Sequence, residues 1–355
     1  MDLKEHLNLA ALERLADHLA ATGPFDRAAF IAQASHNLDA LALRQRVIQA
    51  SDAARAHLPN AWPDALDRIV CAAPPQPGLG SFWLWPLLQM VEDHGLSHPS
   101  LSLDALGTLT SRFSAEFAIR PYLEQHPELS FAWLRARIAH PDPHVRRLIS
   151  EGTRPRLPWG RRLRALQADP SPSLPLLEAL RDDPEDYVRR SVANHLNDLS
   201  KDHPSLVAEL CERWMHNAPE PRERLIRHAL RTLVKAGDPK ALAILGFDVD
   251  APVSATLTAS PDPVTIGGSL TLHATLHGQA SRVALDLLVN RPTARGRSDK
   301  VWKGGIVAVE GHTTWSKTLH LRDVSVRTWH PGELQITLIA NGAEAARVAV
   351  TLTRS

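Results

Sequence analysis

The segment DPHVRR at residues 142–147 recurs as DPEDYVRR at residues 183–190, and this repeat indicates the fold of the helical part of the chain. A looser third copy begins at Pro221. The spacing is 41 residues from Pro143 to Pro184 and 37 residues from Pro184 to Pro221. A period near 40 residues with two helices per unit is typical of HEAT-like repeats, which stack into a solenoid with a concave surface. The repeat therefore predicts a HEAT-like solenoid.

The spacing of apolar residues divides the chain into two parts. Up to about residue 247 they recur every three or four positions, which is the helical period. From Val253 onward they alternate as in strands, in roughly seven short runs. The turn clusters between these runs lie at residues 260–263, 267–268 and 304–305. We predict an all-α HEAT-like repeat solenoid over residues 1–248, followed by an all-β immunoglobulin-like sandwich over residues 249–355.

The composition excludes disordered and membrane-spanning classes of protein. Of the 355 residues, 44% are hydrophobic and 22% are charged, which suffices for a sizeable core. No apolar run approaches the roughly 20 residues of a spanning helix. The first residues lack the pattern of a secretory signal, and Cys71 and Cys211 are too few for a disulfide framework or a zinc site. We expect a cytoplasmic protein, associated with the nucleoid in a bacterium.

Acidic residues share helix faces with arginines in three successive repeats. The pairs, each at helical spacing, are Glu116 with Arg120, Arg147 with Glu151, and Arg190 with Asp198. One interpretation is ordinary surface ion pairs, worth about 0.2–0.5 kcal/mol each. However, Glu151 and Asp198 lie near the C-terminal ends of predicted helices, where the helix macrodipole disfavours a carboxylate. Carboxylates in such positions indicate another use.

Basic residues concentrate between Asp142 and Arg164. This segment holds seven arginines against two acids, with Trp159 among them, although the net charge of the chain is only +1. Arginines interleaved with prolines and an indole are typical of a phosphate-binding loop that carries one stacking side chain. The alternative is that Trp159 packs the loop onto the solenoid.

Three motif runs resemble one known family. They are residues 113–121, residues 140–151 continuing to Pro158-Trp159-Gly160, and residues 187–198. They are similar to the AlkC branch of the AlkC/AlkD-type DNA alkylation repair glycosylases, which are HEAT-like repeat enzymes. Some AlkC-type members carry a C-terminal immunoglobulin-like domain. The resemblance covers residues 1–247 and extends in general character to residues 250–355.

The resemblance implies a monofunctional glycosylase that removes cationic alkylated bases, such as 3-methyladenine and 3-methylcytosine, from duplex DNA. Members of the family do not rely on a deep pocket for a flipped base. The matching positions make Glu116, Glu151, Trp159 and Asp198 the expected active site. Nearby arginines are expected to hold the DNA backbone: Arg120, Arg146, Arg147, Arg154, Arg156, Arg161 and Arg190.

The chemistry of the residues agrees with this assignment. A base methylated at a ring nitrogen is already a good leaving group, so the charge that builds in the transition state is positive charge on the deoxyribose. Carboxylates can stabilise that charge, and one of them can orient the attacking water. We expect Glu151 and Asp198 nearest the sugar, with Glu116 contributing to the field. No lysine matches as an imine-forming nucleophile, so strand cleavage is not expected.

The C-terminal part has a basic cluster of its own, with Arg291, Arg295, Arg297, Lys300 and Lys303 in one expected loop. These residues are either a second DNA clamp or a solvated hairpin. No metal, nucleotide or other cofactor motif occurs, so we expect no metal and no cofactor. We expect a monomer that binds double-stranded DNA and no membrane. The alternative function is a non-enzymatic HEAT-repeat adaptor that binds nucleic acid or protein, although a pure phosphate binder gains nothing from acids facing a polyanion.

Overall fold

The computed structural model describes residues 2–75, 81–324 and 327–354. The described helices are α1 Leu9–Ala20, α2 Arg27–Ala34, α3 Leu43–Arg55, α4 Trp62–Ala72, α5 Trp85–His94, α6 Pro99–Leu109, α7 Arg120–Gln125, α8 Pro127–Arg135, α9 Pro143–Gly152, α10 Arg164–Ala168, α11 Leu174–Leu180, α12 Asp186–Leu199, α13 Pro204–Met215, α14 Glu220–Ala229, α15 Arg231–Lys235 and α16 Pro239–Ile244. The strands are β1 Val253–Ser260, β2 Val264–Thr265, β3 Ser269–Thr293, β4 Gly296–His320, β5 Gly332–Ala340 and β6 Ala343–Thr353. None of the described helices is long and apolar enough to cross a membrane.

The chain forms two compact units. The first comprises residues 1–202 and 219–225, and the second comprises residues 203–218 and 226–355. The order of helices followed by strands confirms the predicted fold class. The boundary at residue 248 stays a prediction of the domain organisation; it lies between the last helix, α16, and the first strand, β1.

The repeated segment forms helices α9 and α12, as predicted. Asp142 caps α9 by accepting a hydrogen bond from the His144 backbone N–H at 2.8 Å, and Pro143 occupies the first turn, where its missing N–H costs nothing. The apolar faces are buried and the two helices pack against each other. His195 links them, because its Nδ1–H donates to the Ser150 carbonyl at 3.0 Å. This packing places the C-terminal ends of α9 and α12 in fixed positions.

The six described strands form one connected sheet with the order β1-β3-β5-β6-β2, and β4 pairs with β3. Alternate residues of β3 are buried in its core from Leu270 to Leu276 and again, after an irregularity between Ala280 and Val283, from Val283 to Val289. The prediction of roughly seven short strands is wrong, because β3 and β4 are each 25 residues long. Gly304 and Gly305, which the sequence assigns to a turn, lie instead in a bulge of β4. Glycine serves turns and bulges equally well, so its presence alone does not distinguish them.

Candidate active site

Glu151 and Asp198 lie in the last turns of α9 and α12, as expected from the sequence. A single guanidinium contacts both carboxylates. Arg154 Nη1 donates to Glu151 Oε1 at 2.7 Å, and Arg154 Nε donates to Asp198 Oδ2 at 2.8 Å. Arg154 follows the end of α9 by two residues, so its charge lies where two helix C-termini favour a cation.

These contacts belong to a longer chain of ion pairs, which we call the carboxylate network: Glu116, Arg147, Glu151, Arg154, Asp198 and Lys201. Arg147 bonds Glu116 and lies 3.4 Å from Glu151 Oε1. At the other end, Lys201 Nζ lies 3.3 Å from Asp198 Oδ1. Acids and bases alternate along the network, and its formal charges sum to zero.

The carboxylate network is buried except at its end. Five of the six side chains are between 4% and 15% exposed, and Lys201 is 43% exposed. Burial by itself lowers the pKa of Arg147 and of Arg154, but the adjacent carboxylates outweigh it and raise both pKa values. Both arginines therefore stay charged. Removal of one partner from such a buried pair leaves an uncompensated charge, which costs about 3–5 kcal/mol.

The loop that begins after α9 exposes Trp159. Its side chain is 80% exposed, and its backbone φ is +64°, in the left-handed region that bulky residues seldom occupy. The alternative in which Trp159 packs the loop onto the solenoid is therefore wrong. Backbone strain at an exposed aromatic residue is typical of a binding position.

Arg120 is fully buried and donates hydrogen bonds to both ends of the loop that contains Trp159. Its Nη1 donates to the Gly152 carbonyl at 2.9 Å and its Nε donates to the Arg161 carbonyl at 2.7 Å. Burial is the main cause that lowers the pKa of Arg120 to about 10. The expected pair with Glu116 does not form, because Glu116 lies in a turn before α7 rather than on that helix. Arg120 therefore positions the loop and does not reach a phosphate.

The other predicted DNA-binding arginines of the helical part differ in exposure. Arg146 and Arg156 make two-point ion pairs with Asp183 and Asp202 and are mostly covered. Arg161 pairs with Glu124 and is 49% exposed, and Arg190 pairs with Asp186 and is 68% exposed. Exposed pairs are weak, so Arg161 and Arg190 can exchange their carboxylates for phosphates at little cost.

Comparison with known proteins identifies the family of the chain. Residues 253–354 match the family described as the C-terminal Ig-like domain of uncharacterised protein YhaZ. The chain is 36% identical over 348 residues to the uncharacterised protein YhaZ of Bacillus subtilis (strain 168), covering 96% of each chain. It is also similar to a solved structure of the Pseudomonas fluorescens alkylpurine DNA glycosylase AlkC, bound to DNA that contains an abasic site analog. That match has a TM-score of 0.90 and 32% identity and covers 99% of this chain and 100% of the other. The chain belongs to the AlkC family.

In this AlkC-family chain the second predicted basic cluster lies at the end of a long hairpin. Arg295 is in the tight connection between β3 and β4, and Arg297 and Lys300 follow on β4. All three are exposed. The expected loop is thus a hairpin held by paired strands, and Arg297 is oriented by its bond to the Glu333 carbonyl at 3.0 Å.

Three residues of this AlkC-family site were missed by sequence reasoning. Ser191 Oγ donates to Glu151 Oε2 at 2.6 Å, the Tyr187 ring lies 5.2 Å from the Arg147 guanidinium, and Lys201 contacts Asp198. Lys201 stands three residues after Asp198, a spacing at which helical side chains meet, so that signal was available. Ser191 carries no comparable signal. Among the described residues, no group of three or more His, Cys, Asp or Glu side chains could hold a metal ion.

Proposed function

We propose that the chain is a DNA glycosylase that hydrolyses the N-glycosidic bond of cationic alkylated bases, 3-methylcytosine and 3-methyladenine among them, in duplex DNA. The observation that carries the proposal is that Glu151 and Asp198, at the C-terminal ends of α9 and α12, both make ion pairs with the guanidinium of Arg154. Membership of the AlkC family supports it, since the similar Pseudomonas fluorescens protein is an alkylpurine DNA glycosylase.

The carboxylate network suits a reaction that builds positive charge beside a polyanion. Free carboxylates would repel the phosphates of the DNA, whereas the network carries no net charge. Its acidic oxygens nevertheless stay fixed, so they can stabilise the oxocarbenium-like sugar without reorganising during the reaction. Arg154 and Ser191 hold Glu151, and Arg154 and Lys201 hold Asp198. One of these carboxylates orients the attacking water, and Glu116 acts through Arg147.

The exposed indole of Trp159 supplies a contact for the lesion or its sugar. A cation over an indole face gains about 0.5–2 kcal/mol. Arg161, Arg190 and the hairpin residues Arg295, Arg297 and Lys300 contact phosphates, which positions the duplex without reading its sequence. No cofactor takes part, and the chain acts as a monomer.

The reaction stops at base removal. Lys201 is the amine nearest the predicted site, but its ammonium group is held by Asp198. Intact strands are therefore expected after incubation with methylated DNA, until alkali is added. Strand breaks without alkali, together with trapping of the protein on DNA by borohydride, would contradict a monofunctional reaction.

Single-turnover release of 3-methyladenine and 3-methylcytosine from methylated duplex DNA tests the proposal. Glu151→Gln is expected to slow release about 100- to 1,000-fold, the range for removal of one preorganised electrostatic group. Asp182→Asn is the matched control, because it removes the Arg222 ion pair elsewhere in the same unit. It is expected to release both bases at the rate of the unaltered chain.

The adaptor alternative gives a different result in the same assay. An adaptor would bind duplex DNA in a salt-sensitive manner yet release no base, with or without Glu151→Gln. That outcome would overturn the proposed activity and leave the carboxylate network with a structural role.

A further inference from the structure

The second unit contains a concave pocket that the proposed reaction does not use. It is formed by the end of α14, by α15, by the segment after α16 and by strands β3 and β4, and its volume is about 390 Å³. Apolar side chains line its interior, including Val234, Phe247, Leu285 and Ile306. Ile306 is 49% exposed, whereas Phe247 and Leu285 are 7% and 1% exposed, so Ile306 is the most open of these four apolar side chains. Pockets of this size and character suit small ligands.

Five cations surround this basic pocket: Arg227, Arg231, Lys235, Arg282 and Lys303. Asp286 is the one acid in the lining. Within the described part of the chain, no carboxylate makes an ion pair with Lys235, Arg282 or Lys303. Like charges gathered on a concave, low-dielectric surface concentrate a positive potential and attract an anion.

The bulge in β4 brings charged residues of two strands to the pocket. The extra residue is Gly304, so Asp286 pairs with Lys303 while Leu285 pairs with Gly305. A Cβ at Gly304 would lie 2.7 Å from the Leu285 carbonyl oxygen, and Gly305 has a φ of +130°. Only glycine fits these positions without strain. The bulge therefore places Lys303 opposite Asp286 on the pocket face.

Arg282 is held in place before any ligand arrives. Its guanidinium lies 4.8 Å from the centroid of the Phe247 ring, and its backbone N–H donates to Asp248 Oδ2 at 3.0 Å. A guanidinium oriented in this way can bind a phosphate at the edge of the pocket.

We propose that the basic pocket binds a nucleotide unit, with its phosphate among Lys235, Arg282 and Lys303 and its sugar or base against Val234 and Ile306. The unit comes either from free nucleotide or from a DNA strand. This site is separate from the carboxylate network and does not depend on the proposed glycosylase activity.

Calorimetric titration of the full chain with 2′-deoxyadenosine 5′-monophosphate tests the site. Binding of one molecule is expected, and Lys235→Gln and Lys303→Gln should each weaken it about tenfold, the loss of one charged hydrogen bond. Arg347→Gln is the control, since Arg347 pairs with Glu344 on β6 of the same unit. Inorganic phosphate should bind more weakly than the nucleotide, and deoxyadenosine more weakly still.

A second arm identifies the source of the nucleotide unit. If saturating undamaged duplex leaves nucleotide binding unchanged, the ligand is free nucleotide. If duplex displaces it, and Lys303→Gln also weakens duplex binding, the unit belongs to a DNA strand. The proposal is overturned if the nucleotide does not bind, or binds equally well to both lysine variants, while duplex affinity stays constant in those variants.

Discussion

The carboxylate network of the first unit and the basic pocket of the second unit use similar side chains in opposite ways. In the network every arginine has a carboxylate partner, the side chains are largely buried, and the formal charges sum to zero. In the pocket Lys235, Arg282 and Lys303 have no carboxylate within ion-pair distance among the described residues, and the surface is open.

The difference separates two uses of charge. Charges that are paired and buried fix geometry, because moving any of them exposes an unpaired partner to a low dielectric. Charges that are unpaired and half exposed contribute little to the free energy of folding, but they attract an anion from solution. The comparison therefore predicts that variants in the network lose stability together with activity, whereas variants in the pocket lose only ligand binding.

The largest expected effect comes from Arg154→Gln. This change leaves Glu151 and Asp198 buried without their shared cation, so the free energy of unfolding should fall by about 3–5 kcal/mol. Lys303→Gln in the pocket should change it by no more than about 0.5 kcal/mol. Urea unfolding of both variants measures the difference, and similar losses in the two would mean that the paired and the unpaired charges contribute alike to stability.

The sequence predicted the helices and their ends better than the partners of the charges. The repeat around Pro143 and Pro184 located α9 and α12, and the positions of Glu151 and Asp198 at the helix ends are confirmed. Helical spacing also found the Arg147 and Glu151 contact. It could not find the contact of Arg154 with Asp198, which are 44 residues apart, since the register between two helices is set by their packing.

The same limit applies to the strands. Alternation identified the β region, but the glycines at 304 and 305 were compatible with either a turn or a bulge, and only pairing with β3 decides between them. The sequence also could not predict which side chains are exposed. Trp159 and Arg120 were both candidates for contact with DNA, but Trp159 is open to solvent and Arg120 is fully buried.

A smaller effect is expected at low pH, and it should fall on the first unit. His195 is fully buried between α9 and α12, and burial lowers its pKa to about 3 from 6.5. The unfolded chain therefore binds a proton between these values that the folded chain does not, so this contribution to stability is complete above about pH 6.5 and is lost as the pH falls. At pH 5 the loss is about 2 kcal/mol.

Urea unfolding at pH 7 and pH 5 measures this loss. His195→Gln keeps a donor for the Ser150 carbonyl but cannot titrate, so the difference between the two pH values should shrink by about 2 kcal/mol in the variant. An undiminished pH dependence would assign the acid sensitivity to other groups. If His195 causes the loss, hydrogen exchange at pH 5 should show faster opening of α9 and α12 than of β3.

The smallest effect on stability is expected at Arg190, which tests what exposure does to a paired charge. Its pair with Asp186 is an i,i+4 contact at 2.8 Å with both side chains more than half exposed, so Arg190→Gln should cost no more than about 0.5 kcal/mol of folding free energy. If Arg190 exchanges Asp186 for a phosphate when DNA binds, the same change should lower the slope of log affinity against log salt by about 0.9. Duplex binding at several salt concentrations measures that slope. An unchanged slope would mean that Arg190 keeps its ion pair with Asp186 when DNA binds. An exposed arginine that already has a carboxylate partner would then not be sufficient to bind a phosphate.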